Sequence, residues 1–138
     1  DLMVSGEVTT MKKKLSILWQ RLVTSNGDTC ERCGQTYMEM VRAVEILKEQ
    51  LSSSGIEPVL KTKELTEAEF KAKPSESNRI WINDKPIEEW LDADVGKSPC
   101  CSACGDEHCR TLELGNRIYE RIPQELIIEA GIRAARSL

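Results

Sequence analysis

The sequence predicts a small three-layer α/β domain, in which a mixed sheet of four to five strands is flanked by helices. Two observations point to this class. Segments with apolar residues at successive positions alternate with segments whose apolar residues recur every three or four positions, as expected when strands and helices follow one another along the chain. The chain has 138 residues, of which 40% are hydrophobic, and this suits one domain with a buried core.

The first predicted unit is a strand followed by a long helix. Residues 14–23 (KLSILWQRLV) carry apolar side chains at both odd and even positions, as in a strand covered on both faces. The apolar residues after the next turn are spaced by four, three, three and four positions, which predicts a helix with one apolar stripe that Gly55 ends. The stripe consists of Tyr37, Val41, Val44, Leu47 and Leu51.

Three shorter elements are predicted next. Pro58 lies in a second strand-like segment and favours an edge position for it, because proline cannot donate to a sheet. Thr66 and Glu69 form a capping box that opens a short helix. Residues 78–84 (NRIWIND) then predict a third strand that ends in a turn.

A polar, cysteine-rich loop divides this part of the chain from the predicted end of the domain. Residues 85–91 predict either a returning strand or a short helix, and residues 92–109 predict the loop, inserted before the last hairpin. That hairpin turns at Gly115 and Asn116, and Pro123 opens a closing helix. The buried side of this helix is predicted to be Leu126, Ile127, Ala130, Ala134 and Leu138.

Charge and hydropathy exclude several classes of partner. Residues 1–11 have neither a basic start nor an apolar core, so we expect a disordered extension rather than a secretory signal, followed by a single domain at residues 12–138. The net charge is −4 with both signs interspersed, which predicts no binding to nucleic acid or to an anionic membrane. Clustered cysteines without a secretory signal favour the cytoplasm, where they more often serve catalysis or metal binding than structural disulfides.

The first cysteine pair, Cys30 and Cys33, forms a CxxC motif between the first predicted strand and helix. Unpaired N–H groups at the start of a helix stabilise a thiolate and can lower a cysteine pKa from about 8.5 to between roughly 3.5 and 7.5. Cys33 follows one turn later, near enough to resolve a mixed disulfide. The pattern predicts a redox-active centre in which Cys30 attacks and Cys33 resolves. A structural zinc half-site and two incidental thiols are the alternatives.

The second cysteine cluster has the spacing C-C-x2-C-x4-C. Its members are Cys100, Cys101, Cys104 and Cys109. Four thiols so close together suit a tetrahedral site for zinc or for an iron–sulfur cluster, and His108 can replace one of them as a ligand. Three other roles are open: a second redox dithiol that passes electrons to the first pair, disulfides that close the loop, and a binding site for copper(I), mercury or arsenic(III). A non-enzymatic module that binds a soft metal is therefore the alternative to a thiol–disulfide oxidoreductase.

The segments ILWQRLV…TCERCG and ESNRIWINDKPIEEW resemble the thioredoxin/glutaredoxin superfamily. The wider combination RIWINDKPIEEWL…GKSPCCSACGDEHCRTLEL…IPQELI is similar to a microbial thioredoxin-like family of unassigned function with an extra cysteine-rich loop, over about residues 12–138. The resemblance implies a thioredoxin-like fold and a protein or small-molecule disulfide as substrate. One residue departs from the pattern: Asn78 stands where thioredoxins place a cis-proline facing the CxxC motif.

The same resemblance predicts that the two cysteine sites are separate. In a thioredoxin-like sheet the third strand runs away from the CxxC motif, and four residues of a strand already span about 13 Å. A loop that follows this strand would therefore start at the far end of the sheet. Contact between the two sites would require the loop to fold back or to reach the neighbouring subunit of a homodimer.

Overall fold

The computed structural model describes residues 13–22, 31–73, 76–99 and 108–138. Within these residues the chain forms seven strands and four α-helices. The strands are β1 (Lys13–Leu22), β2 (Ile56–Leu65), β3 (Arg79–Ile82), β4 (Lys85–Pro86), β5 (Asp94–Pro99), β6 (His108–Leu114) and β7 (Arg117–Tyr119). The helices are α1 (Glu31–Leu51), α2 (Glu67–Ala72), α3 (Ile87–Leu91) and α4 (Gln124–Arg136), with a 3-10 turn at Ser52–Ser54 after α1. The expected extension at residues 1–11 lies outside the described residues.

The main sheet has four strands in the order β2-β1-β3-β4. β1 and β2 are parallel, whereas β3 is antiparallel to both of its neighbours, β1 and β4. A parallel pair needs a crossover connection, and α1 supplies it. The prediction of a mixed sheet flanked by helices is thus confirmed, and the strand order is compatible with a thioredoxin-like fold. β2 lies at the edge, as Pro58 predicted.

The core lies between β1 and the helices α1 and α4. Leu15, Ile17 and Trp19 on one face of β1 are buried. On the other face Leu18 is half-buried and Leu22 is buried, so both faces are covered towards the end of the strand. A Cβ atom built at Gly131 of α4 would lie only 2.7 Å from a methyl carbon of Leu47, so glycine lets α4 lie close against α1.

The buried stripe of α1 is shifted from the predicted one at its start. Tyr37 is 41% exposed, and its ring lies 5.2 Å from the ring of Trp19. The first turns instead bury Cys33, Thr36 and Met40. Val44, Leu47 and Leu51 are buried as predicted. Tyr37 was predicted to be buried from its hydrophobicity alone. Thr36 and Cys33 are buried instead, and their side chains contact polar groups of other segments.

The predicted loop at residues 92–109 is only partly a loop. Asp94–Pro99 form β5, which pairs antiparallel with β6, and β6 pairs with β7 in a second sheet of order β5-β6-β7. β5 lacks an apolar pattern because it is an edge strand with several exposed side chains, such as Val95 and Lys97. Residues 85–91 form both of the predicted alternatives, a two-residue strand and then α3.

Local turn signals are confirmed. Thr66 and Glu69 make both hydrogen bonds of the capping box. Asn83 has φ 50° and Gly55 has φ 70°, so both lie in the left-handed region that ends or turns an element. Leu138 is exposed rather than buried, because α4 ends before it. Among the described helices, none combines the length and the apolar character that crossing a bilayer requires.

Candidate dithiol site

Cys33 lies in the first turn of α1, whose first residue is Glu31. Its side chain is 0% exposed. Cys30 immediately precedes the helix in the chain, but it lies outside the described residues. The first backbone N–H groups of a helix have no partner within the helix, and this is the basis of the predicted thiolate site.

Ser77 contacts this thiol, with its Oγ 3.5 Å from the Cys33 sulfur. The same oxygen accepts a hydrogen bond from the backbone N–H of Leu22, at 3.0 Å. Ser77 is fully buried and joins the end of β1 to the start of α1. Sequence analysis missed it, because residues 33 and 77 are brought together only by the fold.

Asn78 follows Ser77 and holds the turn before β3. Its φ is 59°, a left-handed value that asparagine tolerates better than most residues. The side chain is buried and hydrogen-bonded through both of its polar atoms: Oδ1 accepts from the indole N–H of Trp19 at 3.0 Å, and Nδ2 donates to the carbonyl oxygen of Glu120 at 3.3 Å. The residue that stands in place of the expected proline therefore lies next to the residue that faces Cys33.

Glu76 completes this turn. Its carbonyl oxygen accepts a hydrogen bond from the side chain of Gln20, at 2.8 Å, and its carboxylate binds Arg79 at 2.7 Å. Three successive residues before β3 are thus each bonded to the second half of β1. These hydrogen bonds attach the turn at residues 76–78, which contains the Ser77 that contacts Cys33, to β1.

The second cysteine cluster begins and ends on paired strands. Ser98 of β5 lies opposite Cys109 of β6, and Pro99 lies opposite His108. Pro99, which precedes Cys100 in the chain, and Cys109 therefore lie at the same end of the β5–β6 pair. Cys100, Cys101 and Cys104 lie outside the described residues, and nothing is described of the side chains of Cys109 and His108.

The base of this hairpin lies close to the Cys33 site. The hydroxyl of Ser98 donates to the carboxylate of Glu120 at 2.7 Å, and the backbone of Glu120 accepts the hydrogen bond from Asn78. Two hydrogen bonds thus connect the residue opposite Cys109 to the residue beside Ser77. The separation of the two cysteine sites stays a prediction, because Cys30, Cys100, Cys101 and Cys104 lie outside the described residues.

A nearly buried ion pair stands beside Cys109. Arg110 of β6 binds the carboxylate of Glu88 on α3, and their side chains are 10% and 13% exposed. Burial lowers the pKa of Arg110, and the positive charge of Arg79 lowers it further, whereas Glu88 and Glu76 raise it. The pair fixes the second sheet to α3.

Metal binding is not decided by the described part of the chain. It contains no group of three or more histidine, cysteine, aspartate or glutamate side chains that could hold a metal ion. Since most of the predicted ligands lie outside it, the zinc or iron–sulfur site stays a prediction.

Comparison with known proteins places the chain in a family. A protein of Archaeoglobus fulgidus, described as uncharacterized, is 41% identical over 114 residues, which cover 83% of this chain and 82% of the relative. No solved structure matches the chain. The model of a family described as a domain of unknown function, DUF2703, matches residues 15–131. The chain therefore belongs to the DUF2703 family.

Proposed function

We propose that this protein is a thiol–disulfide oxidoreductase of the thioredoxin-like superfamily, in which Cys30 attacks and Cys33 resolves. The observation that carries the proposal is the position of Cys33, buried in the first turn of α1 beside the end of the central strand. A buried thiol suits the resolving role, because it has to reach only the sulfur of Cys30 and never the substrate.

The reaction consists of two thiol–disulfide exchanges. The Cys30 thiolate attacks one sulfur of a substrate disulfide, forms a mixed disulfide and releases the other substrate sulfur as a thiol. Cys33 then attacks the Cys30 sulfur, forms the Cys30–Cys33 disulfide and releases the second substrate thiol. The substrate gains two electrons, which the CxxC pair loses. A reducing dithiol must restore the pair, and we propose the cytoplasm as the compartment because its poise keeps such thiols reduced.

We propose further that the second cysteine cluster serves as this restoring dithiol. The hydrogen-bonded connection from Ser98 through Glu120 to Asn78 supports the idea, because it holds the base of the cysteine hairpin near the Cys33 site. A hairpin thiolate would attack the Cys30–Cys33 disulfide, and a second hairpin thiol would release the CxxC pair as two thiols. The hairpin would finish as a disulfide, so no electron is gained or lost overall.

The second candidate function is a module that binds a soft metal ion. It is favoured by the register of β5 and β6, which pairs Pro99, the residue before Cys100 in the chain, with His108, the residue before Cys109. Four thiolates gathered there would suit zinc, an iron–sulfur cluster, copper(I), mercury or arsenic(III).

An insulin-reduction assay tests the main proposal. We expect Cys30→Ser to abolish reduction and Cys33→Ser to accumulate a mixed disulfide that mass spectrometry detects. Cys109→Ser is the matched control: with a small-molecule dithiol supplied, it should retain reduction. Full activity of Cys30→Ser would exclude the proposal.

Elemental analysis and the visible spectrum of freshly purified protein separate the two candidates. Metal-free protein with a titratable dithiol in the hairpin favours the exchange role. One equivalent of zinc, or absorption from an iron–sulfur cluster, favours the metal site.

A further inference from the structure

The hydroxyl of Ser77 lies between the backbone of β1 and the sulfur of Cys33. Its oxygen accepts the hydrogen bond of the Leu22 N–H and lies 3.5 Å from the sulfur, and both side chains are 0% exposed. A serine hydroxyl offers one hydrogen and two acceptor positions. Because the Leu22 amide occupies one acceptor position, the hydrogen of Ser77 can be directed at Cys33.

We propose that Ser77 stabilises the thiolate of Cys33 by donating its hydroxyl hydrogen, and so assists the resolving step. This inference rests on the proposed dithiol function. When Cys33 is a thiol, either group can donate to the other. When Cys33 is a thiolate, Ser77 is the donor of this pair, because the sulfur has lost its hydrogen. A hydrogen bond to a charged acceptor is stronger than one between neutral groups.

Burial increases the effect of a hydrogen-bond donor at this sulfur. A charged sulfur in an apolar interior loses the solvation that water would provide, and this favours the neutral thiol. Around Cys33 the core side chains of β1 and α1 exclude water, as its zero exposure shows. Ser77 supplies a replacement for water from a fixed position, because the Leu22 amide holds its oxygen in place.

In the resolving step, the Cys33 sulfur forms a bond to the Cys30 sulfur, and the bond between Cys30 and the substrate sulfur breaks. The substrate sulfur leaves with the electron pair and takes up the proton that Cys33 gave up. Ser77 keeps its own proton throughout and holds the charge on Cys33 until the new disulfide forms.

The test is a titration of Cys33 by NMR in the full chain, with cysteine labelled with ¹³C at Cβ and the signal assigned by its loss in Cys33→Ser. In Ser77→Ala we expect the midpoint of the titration to rise by about one pH unit, which is about tenfold less thiolate at a given pH. The pH profile of mixed-disulfide resolution should shift by the same amount. Ser77→Thr keeps the hydroxyl and should keep the original midpoint.

Thr36→Val is the matched control. Thr36 is also fully buried on α1, and its hydroxyl also accepts a backbone N–H, that of Ile122 at 3.2 Å. The substitution therefore removes a comparable hydrogen bond without removing the donor beside Cys33, and the midpoint should stay unchanged.

Two results would overturn the inference: equal midpoints in Ser77→Ala and the unsubstituted chain, or an equal rise in Thr36→Val. Ser77→Gly replaces Ser77→Ala if the alanine variant does not fold. The titration requires no catalysis, so it tests the role of Ser77 independently. If the proposed function fails, the unsubstituted chain will not reduce insulin, whatever the titration shows.

Discussion

The indole N–H of Trp19 donates a hydrogen bond to the side chain of Asn78 across 3.0 Å, between residues 59 positions apart. The bond joins the central strand to the turn that carries Ser77. It also satisfies a buried donor that would otherwise be costly, since an unpaired buried polar group costs about 1–3 kcal/mol. Asn78 thus supports the conformation of the turn and the burial of Trp19 together.

Asn78→Ala should lower the free energy of unfolding by about 2–4 kcal/mol. The substitution leaves the Trp19 N–H unpaired, and it places alanine in a left-handed conformation that asparagine tolerates better. Asn78→Gly loses the same hydrogen bonds but tolerates the positive φ, so it should be about 1 kcal/mol more stable than the alanine variant. Urea denaturation of both variants measures the difference. Equal stabilities would show that the backbone conformation contributes nothing.

Glu39 of α1 should stabilise the start of α4. Its Oε1 accepts the backbone N–H of Gln124 at 2.8 Å, while Pro123, at the N-cap position of α4, makes no side-chain capping bond. Glu39→Ala should therefore cost about 1–2 kcal/mol, comparable to the loss of an N-cap. Glu45→Ala, at an exposed position of the same helix, is the control and should cost much less. Equal losses in thermal denaturation would contradict this role.

The pKa of Glu69 lies below its ordinary value, because its carboxylate accepts the backbone N–H of Thr66, with further lowering by the Thr66 side chain and by Lys63. The ionised form is favoured in the folded state. Its contribution to stability is therefore present above the unfolded-state pKa and is lost as the pH falls through the lower folded-state pKa.

Thr66→Ala removes the hydroxyl partner of the capping box, so the pKa of Glu69 should rise part of the way towards its ordinary value. NMR titration of the glutamate carboxyl carbons measures the change. Glu64, which lies outside the box, serves as the internal control. An unchanged titration of Glu69 would mean that the Thr66 hydroxyl contributes nothing to the lowered pKa.

The Arg110–Glu88 pair should behave as a coupled unit. Arg110→Met leaves Glu88 as a nearly buried carboxylate without its cation, and should cost about 3–5 kcal/mol. The double variant with Glu88→Gln should regain much of this loss, because no uncompensated charge remains. A double-mutant cycle by urea denaturation measures the coupling. Additive losses would show that the two side chains do not stabilise one another.

Local signals in the sequence predicted those elements whose cause is local. The capping box at Thr66 and Glu69 and the left-handed stop at Gly55 each depend on neighbouring residues, and both are confirmed. The same holds for the turn at Asn83, whose side chain also caps the backbone of Ser16. Each of these signals sits within a few residues of the structure that it determines.

The features that sequence reasoning missed depend on contacts between distant segments. Ser77 lies beside Cys33 only because the fold brings these two segments together, and no motif in the neighbouring sequence indicates that it does. β5 pairs through its backbone at an edge, so it needs no apolar alternation. The hydrogen-bonded link from Ser98 through Glu120 to Asn78 likewise depends on the path of the chain through β4, α3 and β5.

Both borders of the main sheet are poor templates for another strand. Along β2, Lys61, Lys63 and Glu64 are exposed and charged, and Pro58 has no N–H to offer. At the opposite border, β4 is only two residues long. Because natural proteins use charge, proline and short strands to block strand addition, two copies of this chain should not join through a continuous sheet. Self-association, where it occurs, would have to use a helical surface or the smaller sheet.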